Sequence, residues 1–371
     1  MTPGRGERAK RLPQLDVLRG AAVLLTLGSH PPVKIAPGET AGWVGPIWRV
    51  WYAIGYCGVD LFFVLSGFLV GGLIFAEMRA SGRIDIVRFV FRRGFKIWPT
   101  YYFLLAVLMF LQAAHGPVDR AVLLTLAPYV VFLQNYFEDV LQLAPHTWSL
   151  PVEEHFYLAL PLVIAAARRK LSGARIAIGF FLLAVVCGVL RSRSAHTVPQ
   201  LQTHLRIDSL CAGVVVAFVY HYHHATFEKL LRASRWWLAC GLALVIAALS
   251  RGITGAWVAA LVPAGLYVGF AAIIIGMLGQ PEARFSRAGW RIVAAIGYYS
   301  YSIYLFHVPI GYAAVNSYSE RPFAMTLTFA TRWSIGTILY MAISIAMGVL
   351  VSRCIELPAL ALRERVIPRP R

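Results

Sequence analysis

Four side chains set the chemistry to look for: His30, Asp60, Glu153 and His307, each lodged in a different apolar stretch. An ionisable group at membrane depth costs roughly 2.5–3.5 kcal/mol on insertion scales, so each one needs a reason to be there. A carboxylate beside an imidazole orients it and strengthens it as a base, which is what deprotonating a hydroxyl requires. Asp16, Arg19, Glu154, Arg206 and Asp208 lie in similar surroundings. For four of these the plainer reading is pairing. Asp16 and Arg19 sit three apart on one helix face, and Arg206 and Asp208 are placed to meet other helices.

A second set is cationic. Residues 88–96 read RFVFRRGFK and deliver Arg92, Arg93 and Lys96 to the start of the apolar run IWPTYY. Guanidinium forks hold phosphate groups bidentately; the competing reading is a row of interfacial anchors. Arg19 precedes His30 by about 16 Å of helix at 1.5 Å per residue. It would therefore stand between a phosphate clamp and the histidine level. A cationic mouth, a buried cation and an acid/base site beyond it suit a phosphorylated donor that enters from one side and reaches an acceptor on the other.

The elements that must position these groups are membrane helices. Hydrophobic residues make up 58% of the 371 and charged residues only 14%, against about 25% charge in an ordinary soluble domain. A bilayer core needs about 20 apolar residues per helix. That places spans near 13–31, 52–76, 97–114, 148–167, 174–190, 206–222, 236–250, 257–278, 292–313 and 333–351. The stretch 121–136 is short and holds Pro128. Segment 77–96 carries six Lys and Arg and 352–371 carries five, whereas 31–47 and 115–147 carry one each. By the positive-inside rule the expectation is an all-α bundle of about ten spans with both termini cytoplasmic. On that reading 121–136 is a re-entrant or interfacial segment, 13–351 the membrane domain, and 1–12 and 352–371 basic cytoplasmic tails. This topology would set His30, Asp60, Glu153 and His307 at one depth near the outer face.

Other signals are weak. The net charge of +18 lies in short loops, with no zinc, helix-turn-helix or aromatic-basic groove pattern, so no nucleic acid is expected. The five cysteines are scattered without ligand spacing and read as packing residues. No metal site is expected from His221, His223 and His224. His115 and Asp119 match a soluble acyltransferase pattern whose companion motif is missing. The first apolar stretch contains Asp16 and Arg19 and lacks a clear cleavage site, so it is not read as a cleaved signal.

Five runs carry a resemblance: LDVLRGAAVLLTLGSH (15–30), GVDLFFVLSGFLVGGLI (58–74), FRRGFKIWPTYY (91–102), HTWSLPVEEHFYLALPL (146–162) and GYYSYSIYLFHVPI (297–310). In this order they resemble the acyltransferase-3 family of integral membrane O-acyltransferases of glycans, lipopolysaccharide and macrolides. Arg19 and His30 match the family's first-span pair, Glu153 its Trp-Ser-Leu-x-x-Glu motif, and Ser300, Tyr301, Tyr304 and His307 its late motif. The family's Arg-x-x-Arg reads Arg93-Gly94-Phe95-Lys96 here, exchanging one fork for a point charge. The resemblance implies a bacterial inner-membrane enzyme that moves an acyl group, acetyl first among candidates, from cytoplasmic acetyl-CoA or another acyl-CoA. The acceptor would be a hydroxyl of a glycan or glycosylated molecule. His30 would be general base, Glu153 or Asp60 its orienting carboxylate, and His307 an assistant. Arg19, Arg92, Arg93 and Lys96 would hold the donor, and Trp148, Ser149, Tyr301 and Tyr304 would contact substrate. The alternative is a transporter or flippase of a lipid-linked saccharide, which would use the same buried charges for passage.

Overall fold

The computed structural model describes residues 12–30, 33, 39–137, 139–140, 143–167, 173–194, 200–250, 256–319 and 321–368. Among these residues there is no strand. Seventeen α-helices follow in chain order: α1 (Pro13–Gly28), α2 (Val44–Gly55), α3 (Cys57–Ser81), α4 (Ile86–His115), α5 (Arg120–Val130), α6 (Ser149–Ala167), α7 (Gly173–Ser194), α8 (Thr203–Tyr222) and α9 (His224–Arg232). Then come α10 (Ser234–Ser250), α11 (Ala256–Leu278), α12 (Ala288–Tyr298), α13 (Ser300–Phe306), α14 (Ala313–Ser319), α15 (Pro322–Met325), α16 (Phe329–Val351) and α17 (Leu357–Val366). Two π-helical turns, His307–Tyr312 and Ser352–Glu356, link α13 to α14 and α16 to α17.

Each of the ten expected stretches is helical. Six helices, or seven with the α9–α10 pair bent by 78°, are long and apolar enough to cross a bilayer. This makes the chain a multi-pass integral membrane protein. Three of the ten stretches, 13–31, 174–190 and 292–313, are not among these seven, and two of the three differ in form from a plain span. The helix in the first is only 16 residues long, and the ninth is divided among α12, α13 and a π turn. Helix α5 has 11 residues, about 16 Å, which is too short for a core of about 30 Å. Large apolar side chains such as Phe181, Leu242, Ile246 and Ile338 are exposed around the bundle, as a lipid-facing surface requires. Within the stretch read as a basic tail, residues 352–366 are helical: the π turn and α17 continue the helix of α16 and pack on α4.

Local chemistry sets the helix ends. Asp85 and Asp119 accept hydrogen bonds from the amides of Arg88 and Val122, both 3.0 Å, and so cap α4 and α5. Gly82, at φ 68°, ends α3 in the left-handed region.

Small residues let the site-bearing helices meet. A Cβ on Gly20 would lie 2.1 Å from the Val293 carbonyl oxygen, and one on Gly297 only 1.8 Å from that of Asp16. Helices α1 and α12 thus touch backbone to backbone. The same holds for α3 and α8, where a Cβ on Gly67 would sit 1.9 Å from the Leu210 oxygen and one on Gly213 2.1 Å from that of Val64. Close approach of this kind is the main source of helix association in lipid. It fixes Arg19 and Ser66, the immediate neighbours of Gly20 and Gly67.

Buried ion pairs complete the frame. Arg191 and Asp208, both fully buried, pair between α7 and α8, and Arg191 also donates to the Ala259 carbonyl at 3.2 Å. Arg206 pairs with Asp60 at 2.9 Å between α8 and α3.

Candidate active site

Two imidazoles meet between the end of α1 and the π turn after α13. His307 Nε2 lies 3.3 Å from His30 Nδ1, with ring centroids 4.9 Å apart and the planes at 72°. Their acceptors fix the protons. The Tyr304 carbonyl can only accept, so His307 Nδ1, at 2.6 Å, must carry a hydrogen and donate it. His307 Nε2 is then a lone pair, and His30 Nδ1–H is shared between it and Ser29 Oγ at 3.1 Å, whose own hydrogen goes to the Thr26 carbonyl at 2.7 Å. The Thr26 carbonyl, 3.4 Å from His30 Nδ1, is consistent with that assignment. This leaves His30 Nε2 as the free basic nitrogen. His307 therefore occupies the orienting place beside His30 that a carboxylate would otherwise take.

A third histidine stands behind them. His146 is buried with its ring 5.2 Å from His307. Its Nε2–H donates to the Leu305 carbonyl at 2.9 Å, and its Nδ1 has no partner among the described residues.

Below the imidazoles a cavity of about 850 Å³, counting its open mouth, runs between α1, α3, α4, α6 and α13. Arg19, Arg93, Lys96 and Glu153 supply its charge, and Ser66, Ser149, Tyr157, Tyr301 and Tyr304 its hydroxyls. The cations differ in how they are compensated. Lys96 is paired with the buried Glu356, whose other oxygen accepts from Ser302 at 2.7 Å. Arg93 makes ring contacts, 5.8 Å from the centroid of Phe89 and 5.7 Å from that of Tyr157. Among the described residues neither Arg93 nor Arg19 pairs with a carboxylate, so two guanidiniums face a cavity that holds one carboxylate. Such a site attracts an anion.

Tyr304 separates the cavity from the imidazoles. Its hydroxyl donates to the His146 carbonyl and accepts from Ser149 Oγ at 2.8 Å, while its own carbonyl holds His307. Tyr301 donates to the Ile97 carbonyl at 2.8 Å and ties α13 to α4. Glu153 lies against the hydrogen-bonded hydroxyls of Ser66 and Tyr157.

The sequence expectation of one constellation of His30, Asp60, Glu153 and His307 therefore needs correction. His30 and His307 come together. Asp60 does not join them; it is held by Arg206 and by Ser209 Oγ at 3.3 Å. Glu153 faces the cavity among the cations. A helix-depth count could not reveal this, because depth is silent about the face a side chain takes. Arg92 also departs from the cationic set, since it binds Glu364 at 2.8 Å and the Ile367 carbonyl and does not line the cavity. Trp148 likewise lies outside the lining, its ring 5.2 Å from the Arg206 guanidinium. Ser149, Tyr301 and Tyr304 do line it.

Ser66, Tyr157, His146, Ser302 and Glu356 belong to this neighbourhood and were not singled out from sequence. A serine or tyrosine in an apolar run carries no cost that draws notice. Glu356 was the exception: a lone acid just after the last apolar run was a legible signal, hidden by reading that segment as a tail.

The chain matches the family described as an acyltransferase domain over residues 12–353, and it belongs to that family. It is similar to the O-acetyltransferase OatA of Staphylococcus aureus strain NCTC 8325, with 26% identity over 332 residues, which is 83% of this chain and 51% of the relative. OatA of strain COL matches with the same identity and coverage. The chain thus spans about half the length of the curated relatives it matches. No solved structure matches it.

Proposed function

We propose that this family member is a ten-span O-acyltransferase of a bacterial inner membrane, with cytoplasmic termini, that moves an acetyl or other acyl group from cytoplasmic acyl-CoA to a hydroxyl of a glycan or glycosylated acceptor. The observation that carries the reading is the cavity with unpaired Arg19 and Arg93, closed by the same Tyr304 whose carbonyl orients the His307–His30 pair. Arg19, Arg93 and Lys96 hold the anionic groups of the donor. Two guanidiniums offer bidentate contacts to phosphate, and Lys96 offers a point charge that Glu356 must share. The thioester lies toward Tyr304. His30 Nε2 takes the proton of the acceptor hydroxyl as its oxygen attacks the thioester carbon; the C–S bond breaks and the thiolate is protonated to free CoA. The proton on His30 is shared through Nδ1–H with His307 Nε2. The names of the S. aureus relatives support O-acetylation as the transfer.

The test is donor binding by the detergent-purified protein, comparing acetyl-CoA and free CoA for the wild type, Arg93→Ala and Lys96→Ala. The reading expects saturable binding, weakened in both variants and more in Arg93→Ala. A folded wild type that binds neither compound contradicts it and favours the transporter alternative.

A further inference from the structure

The charge of the cavity gathers at the level of Ser66 and Tyr157, and the α3 wall is apolar on both sides of that level, with Leu69 and Val70 one way and Phe62 and Val59 the other. Arg19, Arg93, Lys96 and Glu153 act electrostatically on one another and so share one region. Along α3 the lining residues continue from Ser66, which faces Tyr157, to Phe63, Phe62 and Val59. At 1.5 Å per residue Phe62 is about 6 Å and Val59 about 10 Å beyond Ser66. Leu150 of α6 faces the same space.

We infer that Val59, Phe62 and Leu150, closed off by Tyr304, form a short acyl pocket that restricts the donor to small acyl groups, with Phe62 as the side chain that sets the limit. This rests on the acyl-CoA reading above. The pocket is closed because its end wall is interlocked. Tyr304 is held at its hydroxyl by both His146 and Ser149, so its ring cannot turn aside without losing two hydrogen bonds. Phe62 stands edge-on to Tyr304 with centroids 6.2 Å apart, and Phe63 stands edge-on to Trp148 at 5.9 Å. Val59, Phe63 and Leu150 are buried, whereas Phe62 is only partly so and leaves part of its surface to the cavity. The end wall is also the part of the cavity nearest the imidazoles, through the Tyr304 carbonyl and His307. An acyl group placed for transfer therefore meets the Phe62 ring first.

The experiment measures the affinities of free CoA, acetyl-CoA, propionyl-CoA and butyryl-CoA for the detergent-purified wild type, Phe62→Ala and Phe62→Leu. In the wild type, affinity should fall from acetyl to butyryl, since added methylenes are forced into filled space. In Phe62→Ala the order should reverse, each added methylene gaining about fourfold, while free CoA binds as before. Phe62→Leu should show the same reversal in smaller degree, and it serves where Phe62→Ala has lost free-CoA binding through misfolding. An acyl order unchanged from wild type, in a variant that still binds free CoA, overturns the inference and leaves the donor reading intact. So does a wild type that favours butyryl-CoA. A wild type that binds none of the four overturns both.

Discussion

His30 is the residue on which the proposed chemistry turns, and its usefulness as a base depends on a proton held elsewhere. The Tyr304 carbonyl dictates the hydrogen on His307 Nδ1, and His307 Nε2, with Ser29 Oγ and the Thr26 carbonyl, favours the hydrogen on His30 Nδ1. A general base in position contributes about 10²–10⁴-fold to rate. His307→Ala should therefore lower transfer strongly, because the imidazole that orients His30 and shares its proton is lost, while donor affinity stays near wild type; transfer and binding assays on the same preparation check this. Arg93 presents the opposite case. Its charge has no carboxylate partner among the described residues, so Arg93→Ala should cost little stability but weaken donor binding by about 10- to 100-fold, the equivalent of one charge-assisted hydrogen bond of about 1.5–3 kcal/mol. Equilibrium binding compared with thermal unfolding separates the two effects.

Helix pairs hold these residues through contacts that tolerate no added bulk. Gly67→Val would drive a side chain into the Leu210 carbonyl at the α3–α8 crossing, and the expected outcome is a marked drop in thermal stability in detergent with loss of donor binding. Asp208→Asn removes the charge opposite Arg191, which is fully buried. Breaking a buried pair on one side costs about 3–5 kcal/mol, so this variant should be among the least stable, as read from its unfolding midpoint. The helices themselves were legible in the sequence, because an apolar run of sufficient length leaves the backbone few alternatives in lipid. Their pairing was not. Asp60 finds Arg206 across 146 positions, and apolar periodicity carries no record of that partner. The hydroxyls of Ser66 and Tyr157 escaped notice for the reason that Glu356 should not have: neutral groups cost little to bury, but an acid needs a cation, and here it is Lys96.

Across the whole molecule the arrangement is one of two compartments. Tyr304 joins the two: its side chain lines the cationic cavity and its carbonyl holds His307 beside His30. On the proposed orientation, which follows the positive-inside asymmetry of the loops, the cavity mouth faces the cytoplasm. Thr40→Cys and Arg83→Cys, introduced separately in a background without native cysteines, should then differ in intact cells. A membrane-impermeant maleimide is expected to label position 40 and to reach position 83 only after the membrane is opened. The central claim is that donor binding and acceptor activation belong to different parts of this structure. It is tested most directly by measuring, for His30→Ala in isolated membranes, both acetyl-CoA binding and transfer of labelled acetyl groups to the glycan fraction. The account predicts wild-type binding with transfer reduced by about 10²–10⁴-fold. Transfer that survives at the wild-type rate in a folded His30→Ala protein would contradict it.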